Sequence, residues 1–301
     1  MLLFILLATA LPVIGSSLYK RFLTKDTASA VTVCFHEKDE YVSLEFDYYL
    51  LGILLDKIDK NYSEETIKAS AVALKSAVYY LKGVCRETCL ADADYCDCRY
   101  SLAYTDPEEY LKKHGDNGKK RVDLIKNAIN DTKDQFLLYE NSYALGLVHT
   151  SSSVTTQSAF EVIGREYPYL ECVITPEKAD VTETFVLEAD LIKRLEGEIR
   201  EASDTDISPS LTLGRTGRVE SVSLYSNEIA GERFAEIFAL RSMTFEIEEA
   251  YGGIVVRTYG VGHGLGMSLM GAEKMISDGF KYSDVLLYYF RGCKIVALEE
   301  M

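Results

Sequence analysis

The sequence has 301 residues, of which 48% are hydrophobic and 26% charged, a balance typical of a globular chain with a hydrophobic core and not of a disordered one. The formal net charge of −15 argues against a nucleic-acid-binding protein, because affinity for phosphate backbones depends on clustered lysine and arginine. The same charge gives no attraction to acidic lipid headgroups.

An uncharged apolar run occupies residues 2–14 and is followed by Lys20 and Arg21. It is shorter than the roughly 20 residues that span a bilayer and is typical of a signal segment or a short anchor. We expect residues 1–24 to form an uncleaved hydrophobic anchor and residues 25–301 to form a domain outside the cytoplasm. Two alternatives stay open. The two basic residues alone favour a cytoplasmic location for the following chain, and a terminal core helix would be equally apolar.

Helical periodicity dominates the first half of the remaining chain, beginning with residues 44–80. Within residues 64–82, one stripe of apolar side chains recurs at three- and four-residue spacing and is predicted to be buried: Ile67, Ala71, Leu74 and Val78. Ser63 is the expected N-cap of this helix. The Asp-Pro pair at 106–107 marks another helix start, and residues 121–132 predict a second helix in the same region.

Segments rich in apolar and β-branched residues dominate the second half and predict strands at residues 136–148, 169–175, 182–187, 218–224 and 253–259. Short helices are predicted at residues 189–201 and 231–240. Helices precede strands and do not alternate with them regularly. The pattern therefore predicts an α+β fold, with N-terminal helices followed by a strand-rich core in a single domain after the anchor.

The last third of the chain contains the most specific motif. Residues 260–268 have the sequence GVGHGLGMS and are followed by GA at 271–272. Further short motifs lie in order at residues 49–52, 68–73, 130–133, 149–152, 167–170, 214–219, 239–245 and 289–292. In composition and order this set resembles the SpoIID/LytB family of peptidoglycan lytic transglycosylases, and the resemblance covers residues 44–298.

The resemblance implies cleavage of peptidoglycan glycan strands with formation of an anhydro sugar. Such a reaction needs a carboxyl group that protonates the glycosidic oxygen and then, as a carboxylate, takes a proton from the sugar. The position of the family's catalytic glutamate is occupied by Lys57. A charged ammonium has no lone pair, so Lys57 is not expected to replace that acid. Asp56 and Asp59 flank it, and the choice is between a displaced catalytic acid and solvated surface carboxylates.

The resemblance also implies substrate contacts. Lys68 and Lys75 hold the basic positions of a family helix motif, and their seven-residue spacing places them on one helical face. They are expected to line a sugar groove or, alternatively, to be solvated surface lysines. Four more expected contacts hold motif positions: His149, Ser152, His263 and Ser268. For His263, the alternative is a hydrogen-bonded structural role.

Three more family positions are changed in this sequence. Ser153 and Val154 replace two glycines, and Leu269 replaces a glutamine. Glycine permits positive φ and close approach of a ligand, and valine tolerates neither well. Together with the missing acid, these changes predict a drifted enzyme that has lost its activity.

Four cysteines lie within fourteen residues: Cys85, Cys89, Cys96 and Cys98. Some family members hold zinc near a similar segment, but Leu90 and Ser101 stand at two of its three ligand positions. Four thiolates would still complete a tetrahedral site, and we expect them to bind Zn²⁺. Two disulfides are the alternative in an oxidising compartment. The remaining cysteines are expected to be core residues: Cys34, Cys172 and Cys293.

Two function classes follow from the resemblance. The first is a SpoIID-like cell-wall protein of endospore formation, acting during engulfment, that binds glycan strands with its transglycosylase activity lost. The second is an active lytic transglycosylase that uses a displaced acid such as Asp56. A third, a generic anchored metal-binding domain, is disfavoured by the ordered motifs. The partners that the resemblance implies are the cell-wall amidase stage II sporulation protein P and the membrane protein stage II sporulation protein M. No nucleic-acid partner is expected, because of the net negative charge.

Overall fold

The computed structural model of the protein describes residues 30–35, 40–58, 62–88, 93–96, 102–199 and 207–297, with only the backbone described for 83–88 and 96. The buried apolar side chains form two main clusters. The first core draws on two separate stretches of chain, residues 31–173 and 265–293. The second core is built from one stretch, residues 186–256, which lies between the two parts of the first.

The first core begins with two strands that the sequence analysis did not predict. Strands β1 (Ala30–Phe35) and β2 (Glu40–Glu45) pair antiparallel, and β3 (Tyr95–Cys96) joins β1 in parallel. Helix α1 (Phe46–Lys57) follows directly. Its apolar residues are buried on all sides, which is typical of a helix enclosed by other elements.

Helix α2 (Glu64–Thr88) is the central helix of the first core. All four residues of the predicted apolar stripe are buried, as the periodicity indicated. The predicted cap is also confirmed, since the Thr66 amide donates to Ser63 Oγ at 3.4 Å. The same end of the helix is tied to the C-terminal part of the chain, because Glu273 Oε2 accepts hydrogen bonds from the Ser63 amide and from the Thr66 hydroxyl.

Helix α3 (Pro107–Asp131) begins where the sequence predicted. Asp106 caps it by accepting hydrogen bonds from the amides of residues 108 and 109 at 2.9 and 3.0 Å. Gly115 has φ of 54° and ψ of −134° and divides the helix into two parts. The predicted second helix therefore exists, but it starts after Gly115 and not at residue 121.

Two strand predictions in the next region are wrong. Residues 136–148 form three short strands, β4 (Gln135–Tyr139), β5 (Ser142–Tyr143) and β6 (Val148–His149), because Glu140 and Asn141 turn the chain with φ of 47° and 63°. Residues 169–175 follow helix α4 (Ala159–Ile163) and form no strand. The side chains of Tyr169, Leu170 and Val173 enter the first core, but the backbone joins no described strand. The Leu170 carbonyl, for example, accepts a hydrogen bond from the Ala159 amide at 3.0 Å.

The second core consists of two three-stranded sheets and two short helices. Its elements are β7 (Val181–Leu187), α5 (Glu188–Arg194), β8 (Ser210–Leu213), β9 (Val219–Leu224), β10 (Asn227–Ala230), α6 (Gly231–Ile237), β11 (Phe245–Ala250) and β12 (Gly253–Tyr259). The strand orders are β10-β9-β8 and β11-β12-β7. The predicted strands at 182–187, 218–224 and 253–259 are confirmed, and both predicted helices are present but shorter.

The chain then returns to the first core. The Gly260 amide donates to the Asp180 carbonyl at 2.8 Å, so the two ends of the inserted stretch lie side by side. The remaining elements are β13 (Met267–Ser268), which pairs with β6, α7 (Leu269–Ser277), α8 (Tyr282–Tyr289) and β14 (Lys294–Ala297), which pairs with β4.

The prediction of a mixed helix and strand fold is confirmed. The predicted order is not, because β1 and β2 precede the helices and α7 and α8 follow most of the strands. Among the described residues, no helix combines the length and the apolar character that crossing a bilayer requires. The predicted anchor, residues 1–24, lies outside the described residues.

Candidate functional site

The glycine-rich loop at residues 260–266 lies along residues 147–157, and together they form the candidate site. The Val261 amide donates to the Ser151 carbonyl and the Gln157 amide donates to the Gly264 carbonyl, both at 2.8 Å. Strands β13 and β6 then pair in parallel, with Ser268 opposite His149. This pairing brings the predicted contacts His149, Ser152, His263 and Ser268 into one place.

The glycines make this close pairing possible. All four, at 260, 262, 264 and 266, have positive φ. A Cβ on Gly266 would lie 2.1 Å from the Leu147 carbonyl oxygen, and a Cβ on Gly262 would lie 3.0 Å from His149 Cβ. The motif is thus required by backbone conformation and by packing, since a side chain at Gly266 would separate the loop from β6.

His149 is buried in the site and fully hydrogen-bonded. Its Nδ1 lies 3.0 Å from the Leu265 carbonyl oxygen, so this nitrogen carries the proton and donates. Its Nε2 accepts from the Ser152 hydroxyl at 2.7 Å. Burial, followed by the neighbouring His263, lowers the pKa of His149 to about 3. The ring is therefore neutral at physiological pH, and its two hydrogen bonds fix its orientation.

His263 lies next to His149, with 5.8 Å between the ring centroids, and it is exposed to solvent. Its Nδ1 accepts a hydrogen bond from the Leu265 amide at 3.0 Å. Desolvation of the imidazole by the surrounding protein lowers the pKa of His263, and the positive charges of Lys57 and Arg218 lower it further. The site thus presents a neutral, solvent-accessible imidazole with two cationic side chains in its vicinity.

Lys57 is the last residue of α1, and its electrostatic effect on His263 places it near the site. Its Nζ lies 3.1 Å from Asp56 Oδ2. Lys57, the residue that the resemblance aligned with a catalytic acid, is therefore an ammonium group paired with its neighbouring carboxylate. Asp59, the other predicted flanking acid, lies outside the described residues.

Glu177 belongs to the site, although the sequence analysis did not identify it. Its Oε1 accepts hydrogen bonds from the Ser152 amide at 3.0 Å and from the Ser268 hydroxyl. Its buried Oε2 has no hydrogen-bond partner among the described residues, and the same is true of the nearby Tyr289 hydroxyl. Glu177 lies in an irregular segment with no periodicity or motif, so no signal in the single sequence could have identified it.

A second polar cluster connects the site to the inserted core. The Thr216 hydroxyl lies 2.5 Å from Gln157 Oε1 and 2.6 Å from Glu161 Oε2. Burial alone would raise the pKa of Glu161, but hydrogen bonds from Thr216 and Ser158 outweigh it and lower that pKa. Glu161 is therefore a charged acceptor that holds the 214–219 motif against the first core.

Lys68 and Lys75 do not join this cluster. Lys68 Nζ is ion-paired with Glu64 at 2.6 Å and with Asp131 at 3.0 Å. Lys75 is buried and donates to the carbonyl oxygens of Thr132 and Lys133, which follow the end of α3. Burial lowers the pKa of Lys75 to about 7. The contacts of Lys75 tie α2 to the end of α3.

The other departures from the family pattern leave the backbone unstrained. Neither Ser153 nor Val154 has positive φ, so glycine is not required at these positions for conformational reasons. Val154 is largely exposed, and its carbonyl accepts the Thr175 amide at 2.8 Å. Leu269 is fully buried in the first core. It therefore contributes to packing and offers no amide group to a ligand.

The side chains of the four predicted zinc ligands lie outside the part of the chain that the structure describes. Cys89 and Cys98 lie outside the described residues, and the side chains of Cys85 and Cys96 are not described. No group of three or more potential ligands occurs among the residues that are described. Cys34 and Cys293 are buried as predicted, whereas Cys172 is exposed, so its prediction as a core residue is wrong. Its segment presents alternate residues to solvent and to the first core.

The arrangement is suited to binding a polar ligand. Neutral His263 is accessible and Lys57 contributes a positive charge, whereas Ser152 and Ser268 are buried and donate their hydroxyls to His149 and Glu177. Of the carboxylates near the site, Asp56 is ion-paired with Lys57, and Glu177 accepts two hydrogen bonds at Oε1 while its buried Oε2 has no hydrogen-bond partner among the described residues.

Comparisons with known proteins give consistent results. Residues 36–139 match the family model described as SpoIID, Stage II sporulation protein. The chain is 24% identical over 287 residues to stage II sporulation protein D of Bacillus amyloliquefaciens, covering 90% of this chain and 80% of the relative. It is 25% identical over 268 residues to stage II sporulation protein D of Bacillus subtilis, covering 84% and 75%. An uncharacterized protein of Brachyspira hyodysenteriae is 24% identical over 265 residues, covering 84% and 67%.

Proposed function

We propose that this chain, of which residues 36–139 match the SpoIID family model, is a divergent member of that family and a cell-wall protein of endospore formation that binds peptidoglycan glycan strands without cleaving them. The observation that carries the proposal is the Lys57–Asp56 ion pair at the family's acid position. Cleavage needs a protonated carboxyl group at the glycosidic oxygen, and an ammonium paired with a carboxylate does not supply one.

Binding without turnover is physically reasonable at this site. The acid stabilises the transition state much more than it contributes to ground-state affinity, so its loss removes rate before it removes binding. The accessible imidazole of His263 lies at the surface of the site, where it can contact sugar hydroxyls, and the buried hydroxyls of Ser152 and Ser268 hold the surrounding residues in place through His149 and Glu177.

The cellular setting is part of the proposal. The apolar run at residues 2–14 supports a membrane anchor, with residues 25–301 outside the cytoplasm, where glycan strands are found. Stage II sporulation protein P, a cell-wall amidase, and the membrane protein stage II sporulation protein M are the proposed partners during engulfment. The second candidate function is an active lytic transglycosylase, and it is favoured only by the position of Asp56 next to the family's acid position.

Purified protein and peptide-free glycan strands provide the test. Cosedimentation should show that the unmodified protein binds the strands, and product analysis should show no anhydro sugar. The Lys57→Gln variant removes the charge but adds no acid, so it should also bind without turnover. It serves as the matched control for Lys57→Glu, which restores the family's residue.

The double variant Asp56→Asn, Asp59→Asn distinguishes the two candidates. Anhydro products from the unmodified protein that disappear in the double variant would show that a displaced aspartate is the acid, and the proposal would be wrong. A protein that neither binds nor cleaves the strands would also contradict it.

A further inference from the structure

Strand β7 has an open edge in the second core. Among the described strands it pairs only with β12, in the sheet β11-β12-β7. The Tyr259 amide donates to the carbonyl of Thr244, the residue before β11. Because successive residues of a strand point their N–H and C=O groups to opposite sides, the odd-numbered residues of β12 bond to β11 and the even-numbered residues bond to β7. Given the register Thr184↔Val256, the even residues of β7 bond to β12. The amides and carbonyls of Glu183 and Phe185 therefore point away from the sheet.

The side chains on this strand are unusual for an open edge. Val181, Phe185 and Leu187 are 50%, 49% and 55% exposed. Edge strands are commonly protected by lysine, proline or a bulge, and β7 contains none of these in its seven residues. Tyr251, in the turn beside Leu187, is fully exposed. An apolar strip thus follows an edge whose backbone hydrogen bonds are unused by any described residue.

A groove lies on the other face of the same edge. It has about 390 Å³ of empty space including its open mouth, and its lining includes Thr184, Val186, Asp190, Arg194, Phe238 and Leu240. Arg194 lies over the Phe238 ring, 5.6 Å from the centroid. In β-strand addition, main-chain hydrogen bonds provide affinity, and pockets for alternate side chains provide specificity. The edge of β7 has both parts of such a site.

The charges around the edge identify the kind of partner. Glu183, Glu188 and Asp190 lie on or next to β7, and Arg257 is already paired with Glu183 and Glu248 at 2.7 and 2.6 Å. Two further basic groups are also engaged: Arg194 lies over Phe238, and Arg241 pairs with Asp180 and donates to the Thr182 hydroxyl. A second copy of this chain would place one acidic edge against another, in molecules with a net charge of −15 each. A basic segment is complementary.

We propose that the edge of β7 binds an extended segment of a partner protein in which apolar residues alternate with lysine or arginine. The segment adds a fourth strand to the sheet by bonding to the backbone of Glu183 and Phe185. Its apolar side chains on one face enter the groove beside Phe238, and its basic side chains on the other face lie near Glu183. This surface is separate from the glycan site and does not depend on its function.

The test uses a nine-residue capped peptide in which valine alternates with lysine and threonine, and a control peptide with glutamate in place of lysine. Hydrogen exchange of individual amides is followed by NMR. Saturating lysine peptide should slow the exchange of the Glu183 and Phe185 amides about tenfold or more. The Thr184 amide, which faces β12, is the internal reference. The glutamate peptide should bind about tenfold more weakly or worse.

Two variants separate backbone pairing from side-chain contact. Phe185→Pro removes an outward-facing N–H, which an edge strand tolerates, and should weaken binding about tenfold or more. Phe185→Val keeps that N–H and should stay within about threefold of the unmodified protein. If Phe185→Pro fails to fold, two peptides N-methylated on alternate residues replace it. One of the two should lose binding and the other retain it.

Several results would overturn the proposal. Unchanged exchange of both amides at about 1 mM lysine peptide, the weak end of specific affinities, is one. Equal binding of the lysine and glutamate peptides is another. A dimer of the free protein, with the Glu183 and Phe185 amides already protected, would show that the edge belongs to a second copy of this chain.

Discussion

His149 illustrates how a side chain is fixed by its surroundings. Protonation would place a positive charge in a buried position, with the Ser152 hydroxyl already donating to Nε2. The neutral form with its proton on Nδ1 satisfies both ring nitrogens. His149 therefore orients the Ser152 hydroxyl, and the Ser152 amide donates a hydrogen bond to Glu177 Oε1.

This arrangement predicts a loss of stability in mild acid. The pKa of His149 is about 3 in the folded protein and near 6.5 in the unfolded chain. Below pH 6.5 the unfolded state binds a proton that the folded state does not, so the free energy of unfolding falls as the pH falls from 6.5 towards 3. The slope from one such proton is at most about 1.4 kcal/mol per pH unit.

Urea unfolding between pH 7 and 5 measures this slope. Because the pKa of His263 is also lowered, His149→Gln should remove about half of the slope that the two histidines cause, whereas the same substitution at the exposed His114 should leave it unchanged. Equal slopes in the unmodified protein and in His149→Gln would show that other groups account for the acid sensitivity.

The residues of the site differ in how far the sequence could predict them. The motif positions His149, Ser152, His263 and Ser268 do come together. The glycine pattern indicates this in the sequence, because only glycines allow the loop at residues 260–266 to pack closely against residues 147–157. Glu177 could not be found, since its role arises only from the contact between two distant loops. Lys75 has the same sequence environment as an exposed lysine, and only the packing of α3 on α2 makes it a buried donor to carbonyls.

At the scale of elements, the glycine-rich loop combines two requirements that a pair of variants can separate. Gly266 and Gly252 both have positive φ, 71° and 78°. A Cβ on Gly266 would meet the Leu147 carbonyl at 2.1 Å, whereas a Cβ on Gly252 would meet nothing within 4 Å. Only the first position therefore combines a conformational cost with a steric one.

We expect Gly252→Ala to cost about 1 to 2 kcal/mol, the penalty for a left-handed conformation alone. Gly266→Ala should cost more than about 3 kcal/mol, because β6 and β13 must also separate. Chemical denaturation measures both. Equal losses for the two variants would mean that the loop moves away from Leu147 without penalty.

The zinc cluster is the second prediction at this scale. The last turns of α2 and the short strand β3 carry Cys85 and Cys96, and the two elements pack against each other. Protein purified without reducing agent or chelator should contain about one equivalent of zinc by elemental analysis. Cys89→Ser should lower that content, and Cys172→Ser, at an exposed cysteine elsewhere, should not. Metal-free protein without titratable thiols in the cluster would show that disulfides have formed.

Element prediction succeeded where one face of a segment is consistently buried. The stripe in α2 and the alternation in β12 are examples, and both gave the correct element type. It failed at residues 169–175, where Tyr169, Leu170 and Val173 are buried although the backbone bonds to loops. Apolar content there reflects burial alone, and a single sequence does not distinguish a buried loop from a buried strand.

At the scale of the whole molecule, the apolar run at residues 2–14 predicts on which side of the membrane the rest of the chain lies. We expect residues after about Thr24 to lie outside the cytoplasm, held by the N-terminal apolar run. Protease added to intact protoplasts should degrade this part, while a cytoplasmic marker protein survives until the protoplasts are lysed. Protection of the chain in intact protoplasts, with degradation only after lysis, would mean that the domain is cytoplasmic.

The division of the first core between two stretches of chain has a consequence for synthesis. The N-terminal end of the central helix α2 is hydrogen-bonded to Glu273, and the helix packs against α7 and α8. This core therefore cannot form completely before residues beyond 289 have emerged from the ribosome. The second core needs only residues 186–256 and can close earlier. Translation therefore favours the insert as the first folded part of the nascent chain, and the candidate site can assemble only after the C-terminal part of the first core has been synthesised.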